Sequence, residues 1–181
     1  SRGPITLMRS LSIAYGNSRK AAKWSNKYIT FDDLCKKLET TIRTTESVEE
    51  YKKMTRQARD GIKDKGGFVG GSLRDNLRKV ENVVSRSMLT LDIDKAEPGF
   101  IEKYANESPY TSCLYTTHSH RPDANRCRII VPLTRDVQPD GYVALARYFA
   151  FEWGIDQFDE CSYHTNQLMF WSAALILLKT I

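Results

Sequence analysis

The chain has 181 residues, of which 41% are hydrophobic and 27% charged, enough apolar material for one core and too much for a disordered tail, and its length favours a single domain. A formal charge of +5 mildly favours polyanionic partners, while four cysteines without a Cys-x-x-Cys pair argue against a zinc knuckle or a disulfide framework and fit reduced thiols in a cytoplasm. No basic flank precedes a long apolar leader, and the closing "FWSAALILLKTI" is too short to span a bilayer, so a cytoplasmic protein with no membrane partner is expected.

Along the chain, "ITLMRSLSIAYG" at 5–16 predicts a strand and a turn. Basic residues then gather in "SRKAAKWSNK" around Trp24, and this loop, with Arg19 and Lys20, is either a phosphate contact or solvated surface. Thr30 and Asp33 read as an N-cap and its third-position acid, followed by Phe31, Leu34, Cys35, Leu38 and Ile42 at helical spacing. A second helix is expected from Ser47, where Glu50 completes a capping box and Val48, Tyr51, Ala58 and Ile62 share a face.

"DKGGFVGGSLRDNLRK" sets glycine pairs ahead of Arg74, Arg78 and Lys79 and lacks the Lys-Ser/Thr end of a phosphate-binding loop. It predicts a mobile basic hairpin or loop able to carry nucleic acid, with an ordinary connector as the alternative. From "VVSRSMLTLDID" onward the pattern alternates: Leu89, Leu91 and Ile93 fall on one face of a strand, and Met88, Thr90, Asp92 and Asp94 on the other. A helix at 97–106, strands at 112–118 and 126–133, and a helix at 140–153 follow, the last presenting Val143, Ala146, Ala150 and Trp153 to a sheet.

The acidic pair is the first sign of chemistry. Carboxylates at i and i+2 of a strand project from the same face, and their repulsion is relieved by a hard divalent cation such as Mg²⁺. Taken alone, Asp-x-Asp at a strand end is a weak signal for a metal, and an acidic turn entry is the plain alternative. In "TTHSHRPDANRCRIIVPL" His118 and His120 share a face, and across a short loop so do Arg126 and Arg128, while Cys127, Ile129 and Val131 take the buried side. Imidazole and guanidinium groups gathered over a sheet form a site for triphosphate oxygens, which Arg engages bidentately.

These segments, "SMLTLDID", "YTTHSHRPDANRCRIIVPLTRDV" and "GIDQFDECSYHTNQLMFW", resemble the phage and plasmid branch of the archaeo-eukaryotic primase superfamily. In that branch the primase-polymerase domain often precedes a virulence-associated-E or D5-like helicase. The resemblance implies an α+β fold in which a mostly antiparallel, RRM-like sheet is flanked by helices, with an N-terminal α/β subregion. It implies one domain over 1–172, divided into an N-terminal helical and basic-loop part (1–85) and a motif-bearing part (86–172), with 173–181 a non-family or truncated tail, because Trp171 is followed by Ser172 and Ala173 where the family continues Trp-Pro-Ser.

By the same resemblance Asp92, Asp94 and a third acid hold Mg²⁺ or Mn²⁺, the third being Asp159, with Asp156 as the alternative. His120, or His118, would be the nucleotide-binding histidine, joined by Arg126 and Arg128. The implied activity is primase or primase-polymerase: nucleotidyl transfer from an NTP or dNTP on a single-stranded DNA template held by Arg19, Lys20, Arg74, Arg78 and Lys79. A helicase would be supplied by another chain or by a segment beyond this sequence. Two rivals remain: a His-x-His nicking endonuclease using Tyr163 or Tyr148, which leaves Arg126 and Arg128 unexplained, and a non-catalytic single-strand-binding module.

Overall fold

The computed structural model describes residues 8–39, 66–116, 125–171 and 177–180. The helix expected from Ser47 lies outside the described residues. In chain order the elements are β1 (Ser10–Gly16), β2 (Ser25–Thr30), α1 (Phe31–Glu39), β3 (Gly67–Val69), β4 (Gly71–Leu73), β5 (Val83–Ala96), α2 (Phe100–Glu107), β6 (Ser112–Thr116), β7 (Asn125–Val137), α3 (Pro139–Trp153), β8 (Met169–Phe170) and β9 (Leu177–Thr180).

The sequence dictates several of these boundaries. Thr30 Oγ1 accepts the Asp33 N–H at 3.2 Å and so starts α1, whose first-turn acids Asp32 and Asp33 and last-turn Lys36 and Lys37 oppose the helix dipole. Helix α2 begins at Phe100, later than the expected residue 97, because Pro98 and a left-handed Gly99 (φ 81°) occupy the approach. Strand β7 runs on to Val137, beyond the expected residue 133. Pro132 is accommodated because the β5–β7 register shifts between Arg86 and Met88, where a missing N–H is tolerated.

Two sheets result, in the orders β2-β1-β3-β8 and β4-β5-β7-β6-β9, and every pairing among the described strands is antiparallel. With three α-helices among the described residues packed against them, the α+β class read from the sequence holds. One face of the second sheet packs Leu89, Leu91, Ile93 and Ile129 against Phe100 and Tyr104 of α2 and Tyr142, Ala146 and Phe149 of α3. Its other face packs Met88, Tyr115 and Ile130 against Leu11 and Ile13 of β1, Phe68 of β3 and the Leu34 side of α1. Each fully buried Leu, Ile or Phe stabilises this layered arrangement by about 1.5–3 kcal/mol.

The glycine-rich segment corrects an expectation. Residues 67–73 are neither a mobile hairpin nor a basic loop but two buried strands, β3 in the first sheet and β4 in the second. Glycine is required by close approach: a Cβ at Gly67 would meet Met169 O at 2.2 Å, and one at Gly71 would meet Ser85 O at 2.0 Å. The parts before and after residue 85 are also interleaved, since β4 pairs with β5 and β8 pairs with β3. Leu177–Thr180, within the expected tail, pairs along β6 as an edge strand.

Candidate active site

Strand β4 covers β5 only along Val83–Arg86, so beyond that point the outer edge of β5 has backbone groups to satisfy. The chain after α3 satisfies them. Ile93 bridges Phe158, the Asp159 N–H donates to Asp92 O at 2.8 Å, and the Asp92 N–H donates to Ser162 Oγ at 2.8 Å. From α3, the Tyr142 hydroxyl sits 2.9 Å from Ser162 O and 3.2 Å from Thr90 O, pinning the same strap to the same edge. An acid on the strap is thereby carried to an acid on the strand.

The outcome is a mixed donor set. Ligand atoms of Asp92, Asp159 and Cys161 all lie within 4.8 Å of one another. Asp159 Oδ1 accepts the Cys161 N–H at 3.0 Å, which fixes the turn. Burial raises the Asp92 pKa and the charges of Asp159 and Asp94 raise it further, while Arg128 and Arg126 pull it back. Burial, the hydrogen bond with Asp159 and the nearby carboxylates push the Cys161 thiol up to about 12, so without a cation it is a neutral S–H. Two close carboxylates and a thiol are an appropriate donor set for a divalent cation, which would relieve the repulsion they impose on one another.

Arg128 lies directly across from Asp92 in the β5–β7 register, with Nε 3.7 Å from Asp92 Oδ1 and no hydrogen-bond partner for that N–H. On its other side β6 places Tyr115, whose buried hydroxyl is likewise unpartnered and is pushed up to about 12 by burial. Asp94 and Asp159 line a cleft of about 560 Å³ together with Asp156, Glu160, Lys95 and Arg147. The Arg147 guanidinium rests 4.5 Å from the ring centre of Tyr163, and both line that cleft.

The expected site residues therefore separate. Asp92 and Asp159 converge; Asp94 shares the cleft with Asp159 but stands outside the three-donor cluster, and Asp156 is an exposed member of the cleft wall. Arg128 is committed to Asp92, and Arg126 is exposed. His118 and His120 lie outside the described residues. Arg19, Lys20, Arg74 and Lys79 are exposed, whereas Arg78 is half-buried, donates to Asn166 O at 3.0 Å and Arg19 O at 3.2 Å, and stacks 5.2 Å from the Trp24 ring centre. Tyr163 is buried and Tyr148 is exposed on α3. Sequence reasoning passed over Cys161 and Ser162, although the i+2 spacing from Asp159 in "FDECS" was available.

The profile of the VapE N-terminal domain matches residues 4–176. No curated protein sequence matches the chain. Among solved structures, the cyanophage S-2L primase-polymerase (PrimPol) AEP domain is similar at a TM-score of 0.45 and 10% identity, over 93% of this chain and 74% of that one. Among the described residues no helix is long and apolar enough to cross a membrane.

Proposed function

The chain belongs to the VapE N-terminal domain family, and from that premise we propose that it is a nucleotidyltransferase of the primase or primase-polymerase type. It would use Mg²⁺ or Mn²⁺ to add NTP or dNTP units on single-stranded DNA. The observation that carries this reading is the convergence of Asp92 and Asp159 from opposite ends of the motif block onto one point of the β5 edge. The primase resemblance of the motifs assigns these two residues, with Asp94, to the metal-binding triad.

Asp92 and Asp159 would hold the cation, with Asp94 presenting a further carboxylate from the cleft wall. The bound ion supplies charge neutralisation and Lewis acidity to a transferring phosphoryl group. The protein's own part is position. Arg128 orients the Asp92 carboxylate, the Ser162 and Asp159 backbone contacts fix the strap, and Arg126 and Lys95 offer cations toward phosphate oxygens at the rim. His118 and His120 would complete the nucleotide grip. Arg19, Lys20, Arg74 and Lys79 would carry the template strand. A helicase partner is the natural source of single-stranded template.

The test is nucleotide addition on a single-stranded DNA template with Mg²⁺ or Mn²⁺. Asp92→Asn and Asp159→Asn should each lower the rate by at least about a hundred-fold while the protein stays folded. Undiminished synthesis by both variants sinks the assignment.

A further inference from the structure

We propose that Cys161 is a third ligand of the cation held by Asp92 and Asp159, so that this centre is a carboxylate–thiolate site favouring softer divalent ions over Mg²⁺. The inference rests on the metal-dependent reading above and extends it to which ions the site selects.

The convergence of sulfur and oxygen donors is built by backbone rather than by mobile surface side chains. Asp159 and Cys161 are locked in one turn by the Cys161 N–H···Oδ1 bond, and that turn is fixed to β5 by the Asp159 N–H···Asp92 O and Asp92 N–H···Ser162 Oγ bonds. All three ligand atoms consequently fall within 4.8 Å of one another, from two segments far apart in sequence. The buried Gln167 side-chain amide donates to Cys161 O and Thr90 O at 3.2 Å each, a further tie between this turn and β5.

Accessibility singles out this thiol. Cys35, Cys113 and Cys127 are 2%, 0% and 0% exposed within the apolar cores, whereas Cys161 is partly exposed among carboxylates. Mg²⁺ demands oxygen ligands and sheds its water reluctantly, while Mn²⁺, Co²⁺, Zn²⁺ and Cd²⁺ accept thiolate with increasing readiness along that series' softer members. On binding, a metal–sulfur bond replaces the S–H bond, and the proton leaves to solvent.

Titration of the whole chain with Co²⁺ and Cd²⁺, alongside Mn²⁺ followed by electron paramagnetic resonance, decides the matter. Wild type should show a sulfur-to-cobalt charge-transfer absorption that Cys161→Ser loses while still binding Mn²⁺. The same variant should bind Cd²⁺ at least about tenfold more weakly, with Mg²⁺ affinity unchanged or improved by the harder oxygen. A charge-transfer band that survives Cys161→Ser overturns the inference. So does Co²⁺ binding that requires Asp92 and Asp159 but gives no band, and in that case the carboxylate metal site itself stands. If wild type binds none of these ions, both the inference and the metal-dependent reading fall.

Discussion

Arg86 and Asp92 sit on the same strand, yet the fold treats the two charges in opposite ways. Arg86 is fully buried, and its guanidinium donates to Gly70 O at 2.9 Å, Thr165 O at 2.6 Å, Met88 O at 3.2 Å and Thr90 Oγ1 at 2.9 Å, while lying 3.9 Å from the centre of the Tyr142 ring. Its charge is dispersed over neutral acceptors, which take four of its five N–H donors. Asp92 is partly open, and among the described residues its carboxylate has a 3.7 Å ion pair and no hydrogen bond. A buried charge with its partners in place acts as scaffold; one held short of its partners, beside other anions, marks a candidate site.

The comparison can be broken most forcefully at Arg86. Replacing it with Met takes the guanidinium donors from the buried Thr165 carbonyl and Thr90 hydroxyl and leaves Gly70 O with the Ser87 N–H alone, and should lower unfolding free energy by about 3–4 kcal/mol in urea titration. A loss below about 1 kcal/mol would mean that the buried cation is not a structural post.

Asp92→Asn should have the contrary effect on stability. Because the folded-state pKa of Asp92 lies above its ordinary value of 3.8, the wild type is favoured while the group is protonated. That stability is lost as pH rises from the ordinary value through the raised one. The Asn variant, fixed in the neutral form, should lack this slope and be no less stable than wild type at neutral pH. Parallel pH-dependent melts check it, and identical slopes would remove the argument that burial strains this carboxylate.

The smallest effects sharpen the same distinction among the basic residues. Arg78→Ala removes two backbone-directed hydrogen bonds and the Trp24 stack, and should reduce stability by about 1–2 kcal/mol. Arg74→Ala with Lys79→Ala should leave the melt unchanged but weaken single-stranded DNA binding and flatten its salt dependence, since exposed cations act through counterion release. An unchanged salt slope would make this edge a plain surface.

These contrasts mark what the sequence made legible. Alternation alone put Asp92 on the polar face of its strand and Arg128 opposite the core-facing Cys127, Ile129 and Val131, because a strand's period of two leaves little freedom once one face is apolar, whereas the pairing of Asp92 with Arg128 came from the fold. Asp159 was reached through resemblance rather than pattern, since its meeting with Asp92 depends on the Ile93–Phe158 bridge, a long-range pairing that no local period encodes. The glycine pairs misled because Gly is equally at home in a loose loop and in a close-packed strand. Phe68 and Val69 between them, both fully buried, were the sign of the second.

Between β3 and β4 the chain passes from one sheet to the other at Gly70, whose carbonyl accepts both the Arg86 Nε–H and the Ser87 N–H at 2.9 Å. A one-residue crossing leaves no slack. The acid-bearing strap is tethered in the same manner, leaving α3 on the second sheet and ending at β8 in the first. The spacing of Asp92 and Asp159 is set where the strap meets β5, by the Ile93–Phe158 bridge and the Asp159 N–H···Asp92 O bond, while the strap's far end is anchored through β8 to the first sheet, in the layer of Met88, Phe68 and Ile130. A methyl group trimmed from that interlayer would loosen the strap's far anchor and reach the two acids as a change of fit, without any contact to them.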